Sequence, residues 1–177
     1  MGKPISDEEF GDLFRTFERS AFRLETRDRY ALSYEREEFE RFLAGSPTPP
    51  SEITWWRSWL DQTAALTAQG KFVGRVRILD EPPSDYQRWM LWAAPWYAEA
   101  GEVIRWLPRS TARAAGVGLD RDWWLFDLER LVVMEFTGTG EIAARTLVTD
   151  PVHVARYRRW HDLALWNAAT AESIVAA

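Results

Sequence analysis

The sequence predicts an α/β (α+β) fold: a mixed, mostly antiparallel sheet of about six strands with helices packed against it. Three observations carry this expectation. Segments of helical period alternate along the chain with short runs rich in β-branched and aromatic residues. From Asp120 to Trp160 the order is strand, turn, strand, turn, strand, and then a long helix opened by Asp150-Pro151. The chain also has 177 residues, 46% of them hydrophobic, enough for one sizeable core. Residues 1–177 are therefore read as a single domain.

Ser6-Asp7-Glu8-Glu9 is a capping box, in which a serine hydroxyl and a glutamate serve each other's backbone N–H. The helix it opens carries Phe10, Leu13, Phe14 and Phe17 on one side and is expected to end near Ala21. Phe22–Glu25 and Tyr30–Tyr34 read as short β segments, and Glu35–Leu43 as a helix stopped by Gly45. The Pro-rich stretch 45–51 is a loop within the domain. A helix follows from about Thr54 to Gln69, closed by Gly70, with Trp55 and Trp59 one turn apart.

Lys71–Asp80 reads as a central strand with Phe72, Val76 and Ile78 on one face and Val73, Arg75, Arg77 and Leu79 on the other. Ser84 caps a helix running to about Ala100, in which Pro95 predicts a kink or break near Ala94. Trp89, Trp92 and Trp96 form a core-type stripe along it. Glu102–Leu107 is a strand, and 108–118 a short helix and loop. Trp123–Phe126 and Leu131–Phe136 pair through a turn in which Asp127 is expected to bond its own backbone. Ile142–Val148 is the third strand of that unit, and the final helix is expected to reach about Ala171.

Composition narrows the function classes. Net charge is −5, with no basic segment, so direct nucleic-acid binding is not expected. The absence of cysteine excludes disulfides, thiolate metal sites and Cys nucleophiles. No apolar run approaches the ~20 residues needed to span a bilayer, and the N-terminus is acidic rather than signal-like, so a cytoplasmic protein away from membranes is expected. His153 and His161 lack companions at metal-ligand spacing, and no cofactor motif is present. Eleven tryptophans exceed ordinary use. Most are read as core fillers with hydrogen-bonded tips, the rest as lining of a groove or contact surface.

Arg75 and Arg77 share a strand face, ~7 Å apart by strand rise, a placement suited to holding a carboxylate or phosphate. The competing assignment is that they pair with carboxylates such as Glu102 or Glu135. Asp80 follows on the same strand. Glu135 interrupts an apolar strand, so it is expected to be partly buried with an arginine partner. Trp55, Trp59, Trp89 and Trp92 complete the candidate ligand or contact surface.

Phe22-Arg-Leu-Glu25, Tyr34-Glu35, Arg75-Val-Arg-Ile-Leu-Asp-Glu-Pro82, Ser84-Asp-Tyr86, Gly101-Glu102 and Asp122-Trp-Trp-Leu-Phe-Asp127 together resemble an actinobacterial family of unknown function encoded near helix-turn-helix regulators, some in toxin–antitoxin-like pairs. The resemblance covers nearly the whole chain and implies a helix-turn-helix protein partner. A looser resemblance, at the level of fold, is to phospholipase-D-like domains, including catalytically dead sensory versions. The active His-x-Lys pattern is missing: His153 is followed by Val154-Ala155 and His161 by Asp162-Leu163. The expected function is a non-catalytic regulatory or protein-interaction module that works with a separate DNA-binding regulator, or senses a small ligand for it. The alternative is an enzyme or toxin acting on a phosphate- or carboxylate-bearing substrate, with Arg75 and Arg77 holding the anion and Glu135 or Asp80 as the acid–base group.

Overall fold

The computed structural model describes residues 2–175. The Ser6 capping box forms as expected, with Glu9 N–H donating to Ser6 Oγ at 3.1 Å and Ser6 N–H donating to the Glu9 carboxylate at 2.9 Å. Helix α1 (Asp7–Thr16) stops there, well short of Ala21. The chain from Ser20 to Glu25 is taken instead by strand β2, whose backbone is paired on both sides. Lys3–Pro4 forms β1, a two-residue strand that sequence periodicity cannot register. Tyr30–Tyr34 is not a strand, and a 3₁₀ turn at Ser33–Glu35 leads into α2 (Arg36–Leu43).

Helix α3 (Thr54–Ala68) and strand β3 (Phe72–Leu79) lie close to their expected bounds. Helix α4 (Asp85–Glu99) runs through Pro95 without a break. One lost backbone donor is outweighed there by the burial of Trp89, Met90, Ala93, Ala94 and Tyr97. Then come β4 (Val103–Pro108), α5 (Arg109–Ala114), β5 (Asp122–Phe126), β6 (Arg130–Phe136) and β7 (Ile142–Val148). Helix α6 (Pro151–Asn167) ends before Ala171, because Ala169 leaves the helix to exchange two 2.8 Å backbone bonds with Trp106 on the free edge of β4. A short α7 (Ala171–Val175) follows.

The strands form one mixed sheet of seven, ordered β1-β7-β6-β5-β2-β3-β4. Pairings are antiparallel from β1 to β2 and parallel for β2-β3 and β3-β4. The extra strand relative to the expected six is β1.

Strand alternation sends Phe22, Leu24, Val76, Ile78, Trp123 and Leu125 to one face, where they pack with Ala112 of α5 and Val154 and Ala164 of α6. The opposite face is covered in two parts. Helix α1 packs on Ala21, Val73, Trp124, Phe126 and Val132. Helices α3 and α4 pack around Leu79 and Trp106. Arg75 and Arg77, with Trp55 and Trp59, lie along the seam between these two apolar clusters.

Candidate functional site

Register builds the seam. In the parallel β2-β3 pair, Arg23 stands beside Arg75 and Glu25 beside Arg77, while Arg23 also faces Trp124 of β5. Charged side chains at i and i+2 on two adjacent interior strands therefore project to one face, under α1, α3 and α4. They line a cavity of about 320 Å³, within the range of small-molecule sites. Phe10, Phe14, Trp55, Trp59 and Trp124 supply apolar wall, and Tyr30, Tyr86 and Tyr97 supply phenols. Tyr34, more than half exposed, marks the mouth.

Glu25 is the hub. Arg75 Nη1 donates to its Oε1 at 3.0 Å, Arg23 Nη1 lies 3.1 Å from the same oxygen, and Arg77 Nε lies 2.9 Å from Oε2. Burial opposes ionisation, but the guanidiniums of Arg23, Arg77 and Arg75 outweigh it and hold the carboxyl at about 2. Arg75 is bonded to a second carboxylate as well: its Nε donates to Glu102 at 2.5 Å, and Glu102 also accepts Trp59 Nε1 at 2.8 Å. Asp122 accepts the Thr26 N–H and hydroxyl, at 2.9 and 2.7 Å, and the Tyr30 hydroxyl.

Arg23 and Arg77 are less completely matched. Arg77 Nε is near Glu25 without hydrogen-bond alignment, and both Nε atoms are shielded from solvent with no partner. Aromatic rings lie beside them instead, Tyr97 and Trp106 by Arg77 and Tyr30 and Trp124 by Arg23, with ring centroids 5.6–5.7 Å from the guanidinium carbon.

Glu35 enters from the 3₁₀ turn. It is buried and accepts the Tyr86 hydroxyl at 2.9 Å. Desolvation dominates over that bond and over the more distant Arg77, and its carboxyl is raised to about 7.

Of the residues singled out from sequence, Arg75, Arg77, Trp55 and Trp59 line this cavity. Trp55 stacks on Trp56 with ring centroids 4.9 Å apart. Trp89 is buried between α3 and α4, and Trp92 is half-buried against Phe42 and Trp96; neither lines the cavity. Asp80 is held outside the cavity by Arg109 and Gln87. Glu135 has its arginine partner, Arg121 at 2.9 Å, but is exposed rather than partly buried, since β6 is irregular at Glu135/Phe136. The hydrogen-bonded indole tips expected in the core are not general: Nε1 of Trp56, Trp106 and Trp123 is buried without an acceptor. Asp127 serves the backbone of another segment, accepting N–H bonds from Glu18, Arg19 and Ser20 at 2.7–3.1 Å.

Sequence reasoning missed Arg23, Glu25 and Glu35 as site residues. The first two had a signal: in Phe22-Arg-Leu-Glu25 they alternate with strongly apolar positions, as the arginines of β3 do. Glu35 had none, because its burial depends on α4.

These features define a class, an α/β domain with an aromatic, charge-lined cavity on one face of a mixed sheet. The chain belongs to the family described as a domain of unknown function, DUF6879, whose model matches residues 8–174. No curated protein matches it. Among the described residues no helix is long and apolar enough to cross a membrane, and no cluster of three or more His, Asp or Glu could hold a metal ion.

Proposed function

We propose that this domain is a non-catalytic regulatory module that binds a small ligand in the Arg23–Arg75–Arg77 cavity and works with a separate DNA-binding regulator of the helix-turn-helix kind. The observation that carries the ligand part is the cavity itself. Burying charged groups on a sheet face that could have been filled with aliphatic side chains is costly, and such groups commonly mark a site. The partner part is supported by the resemblance to actinobacterial proteins encoded beside such regulators. The phospholipase-D-like likeness without its His-x-Lys pattern favours regulation over hydrolysis in the same way. A ligand held between the β2-β3 face and α1, α3 and α4 would couple to a partner through its different affinity for the partner-bound and free states.

The test is thermal unfolding of the purified chain with and without the small-molecule fraction of extract from its source cells. A rise in Tm that is lost in Trp59→Ala is the expected result. An unchanged Tm at every extract concentration would defeat the proposal.

A second reading, an enzyme or toxin acting on a phosphate- or carboxylate-bearing substrate, is favoured by Glu35. A cavity carboxyl titrating at about 7 suits general acid–base work. This moves the acid–base role from Asp80 and Glu135 to Glu35. Turnover of the bound compound, rather than stoichiometric binding, separates the two readings.

A further inference from the structure

We infer that the ligand of this cavity is a small organic monoanion, a carboxylate on a planar apolar body, with its acid group taken by Arg77 and Arg23. The inference rests on the ligand-binding reading above and deepens it.

The hydrogen-bonding capacity of the seam is unbalanced toward donors. Three guanidiniums surround Glu25, and each brings five N–H groups. The available acceptors are largely taken. Glu25 is shared by all three arginines, Glu102 serves Arg75 and Trp59, and Asp122 serves Thr26 and Tyr30. Arg75 is satisfied by two carboxylates, whereas Arg77, itself nearly fully buried, makes its closest polar approach through a misaligned Nε. Trp56, on the same wall, also has its Nε1–H without an acceptor. Aromatic rings lie 5.6–5.7 Å from the guanidinium carbons of Arg77 and Arg23, whose approaches to Glu25 lack hydrogen-bond alignment, so their N–H edges are the unmatched groups. A planar two-oxygen acid group matches such an edge.

Charge limits the ligand to a monoanion. Arg145 is a fourth guanidinium on the wall, so with Glu35 protonated the four arginines exceed Glu25, Glu102 and Asp122 by one positive charge, enough for a monoanion and not for a dianion. Shape supplies the body: Phe14, Trp55, Trp59 and Trp124 form apolar wall from α1, α3 and β5.

The test is calorimetric titration of the full chain with four probes sharing one aromatic body: 1-naphthylacetate, 1-naphthylacetamide, 1-naphthylmethylamine and 1-naphthyl phosphate. The acetate is expected to bind about tenfold or more tighter than the neutral amide, the scale of one charge-assisted contact, and tighter than the phosphate. The amine is expected not to bind. Arg77→Gln should bring acetate binding down to the level of the amide. Should that variant not fold, Arg23→Gln, at the less buried of the two arginines, carries the same expectation. Amide or amine binding as tightly as the acetate would overturn the anion assignment while leaving a ligand cavity in place. Phosphate binding more tightly would overturn the carboxylate assignment. No binding of any probe at millimolar concentration would overturn both this inference and the reading beneath it.

Discussion

Glu25 and Glu35 are both buried in one cavity, and their carboxyls move in opposite directions. For Glu25 the neighbouring guanidiniums of Arg23, Arg77 and Arg75 overcome desolvation. For Glu35 desolvation prevails over the Tyr86 hydroxyl and over Arg77 and Arg23, and the Glu25 charge adds to the rise. The consequences for stability have opposite signs. The Glu25 contribution is present above pH 4.5 and lost as pH falls toward 2. Glu35 binds its proton more tightly folded than unfolded, so its contribution is present below pH 4.5 and lost as pH rises through 7. Glu35→Gln keeps an acceptor for Tyr86 and removes the titration. Relative to wild type it should gain about 2.5 kcal/mol between pH 5 and pH 8, measured by urea unfolding at both values. Parallel pH dependence in the two proteins would show that Glu35 ionises normally.

At the scale of elements, the β5-β6 hairpin holds the entry of β2 in place. Asp127 and Leu128 both have positive φ, 53° and 60°, and Glu129 N–H closes the turn on Phe126 O at 2.9 Å. This backbone favours glycine at its second position, yet Leu128 occupies it. Leu128→Gly should therefore stabilise the fold by about 0.5–1 kcal/mol. Asp127→Ala should destabilise it by about 2–4 kcal/mol, because three backbone N–H groups at Glu18–Ser20 and the Arg130 guanidinium lose their acceptor. Thermal melts of the two variants, shifted in opposite directions, check the pair. Equal shifts would mean that the turn carries neither strain nor a cap.

The same scale shows what was legible in the sequence. Capping at Ser6, Ser84 and Asp150 and the alternation in Phe72–Leu79 gave α1, α4, α6 and β3. Local chemistry decides those features. The chain at Ser20–Glu25 was only partly legible, since a helical pattern through Phe17 ran on into residues whose backbone is claimed by β3 and β5. The side of β3 carrying the arginines could be read from period two, but their company could not. Arg23 and Glu25 reach that face only through the parallel register of β2 on β3, a nonlocal fact.

For the whole molecule, packing on the two sheet faces is unequal. The α5-α6 face is apolar throughout its core, and α6 leaves Trp166 86% exposed at its outer side. The α1-α3-α4 face is divided by a charged seam, and ligand binding is proposed there. Residues on the other face then serve as internal controls, Trp123 buried under α6 and Trp166 in solvent. The most direct measurement is the indole N–H region of the ¹H–¹⁵N spectrum during titration with 1-naphthylacetate. Saturable shifts of the Trp59 and Trp55 resonances are expected, with Trp123 and Trp166 unmoved. Shifts confined to Trp166, or no saturable shift at Trp59, would contradict ligand binding at the seam.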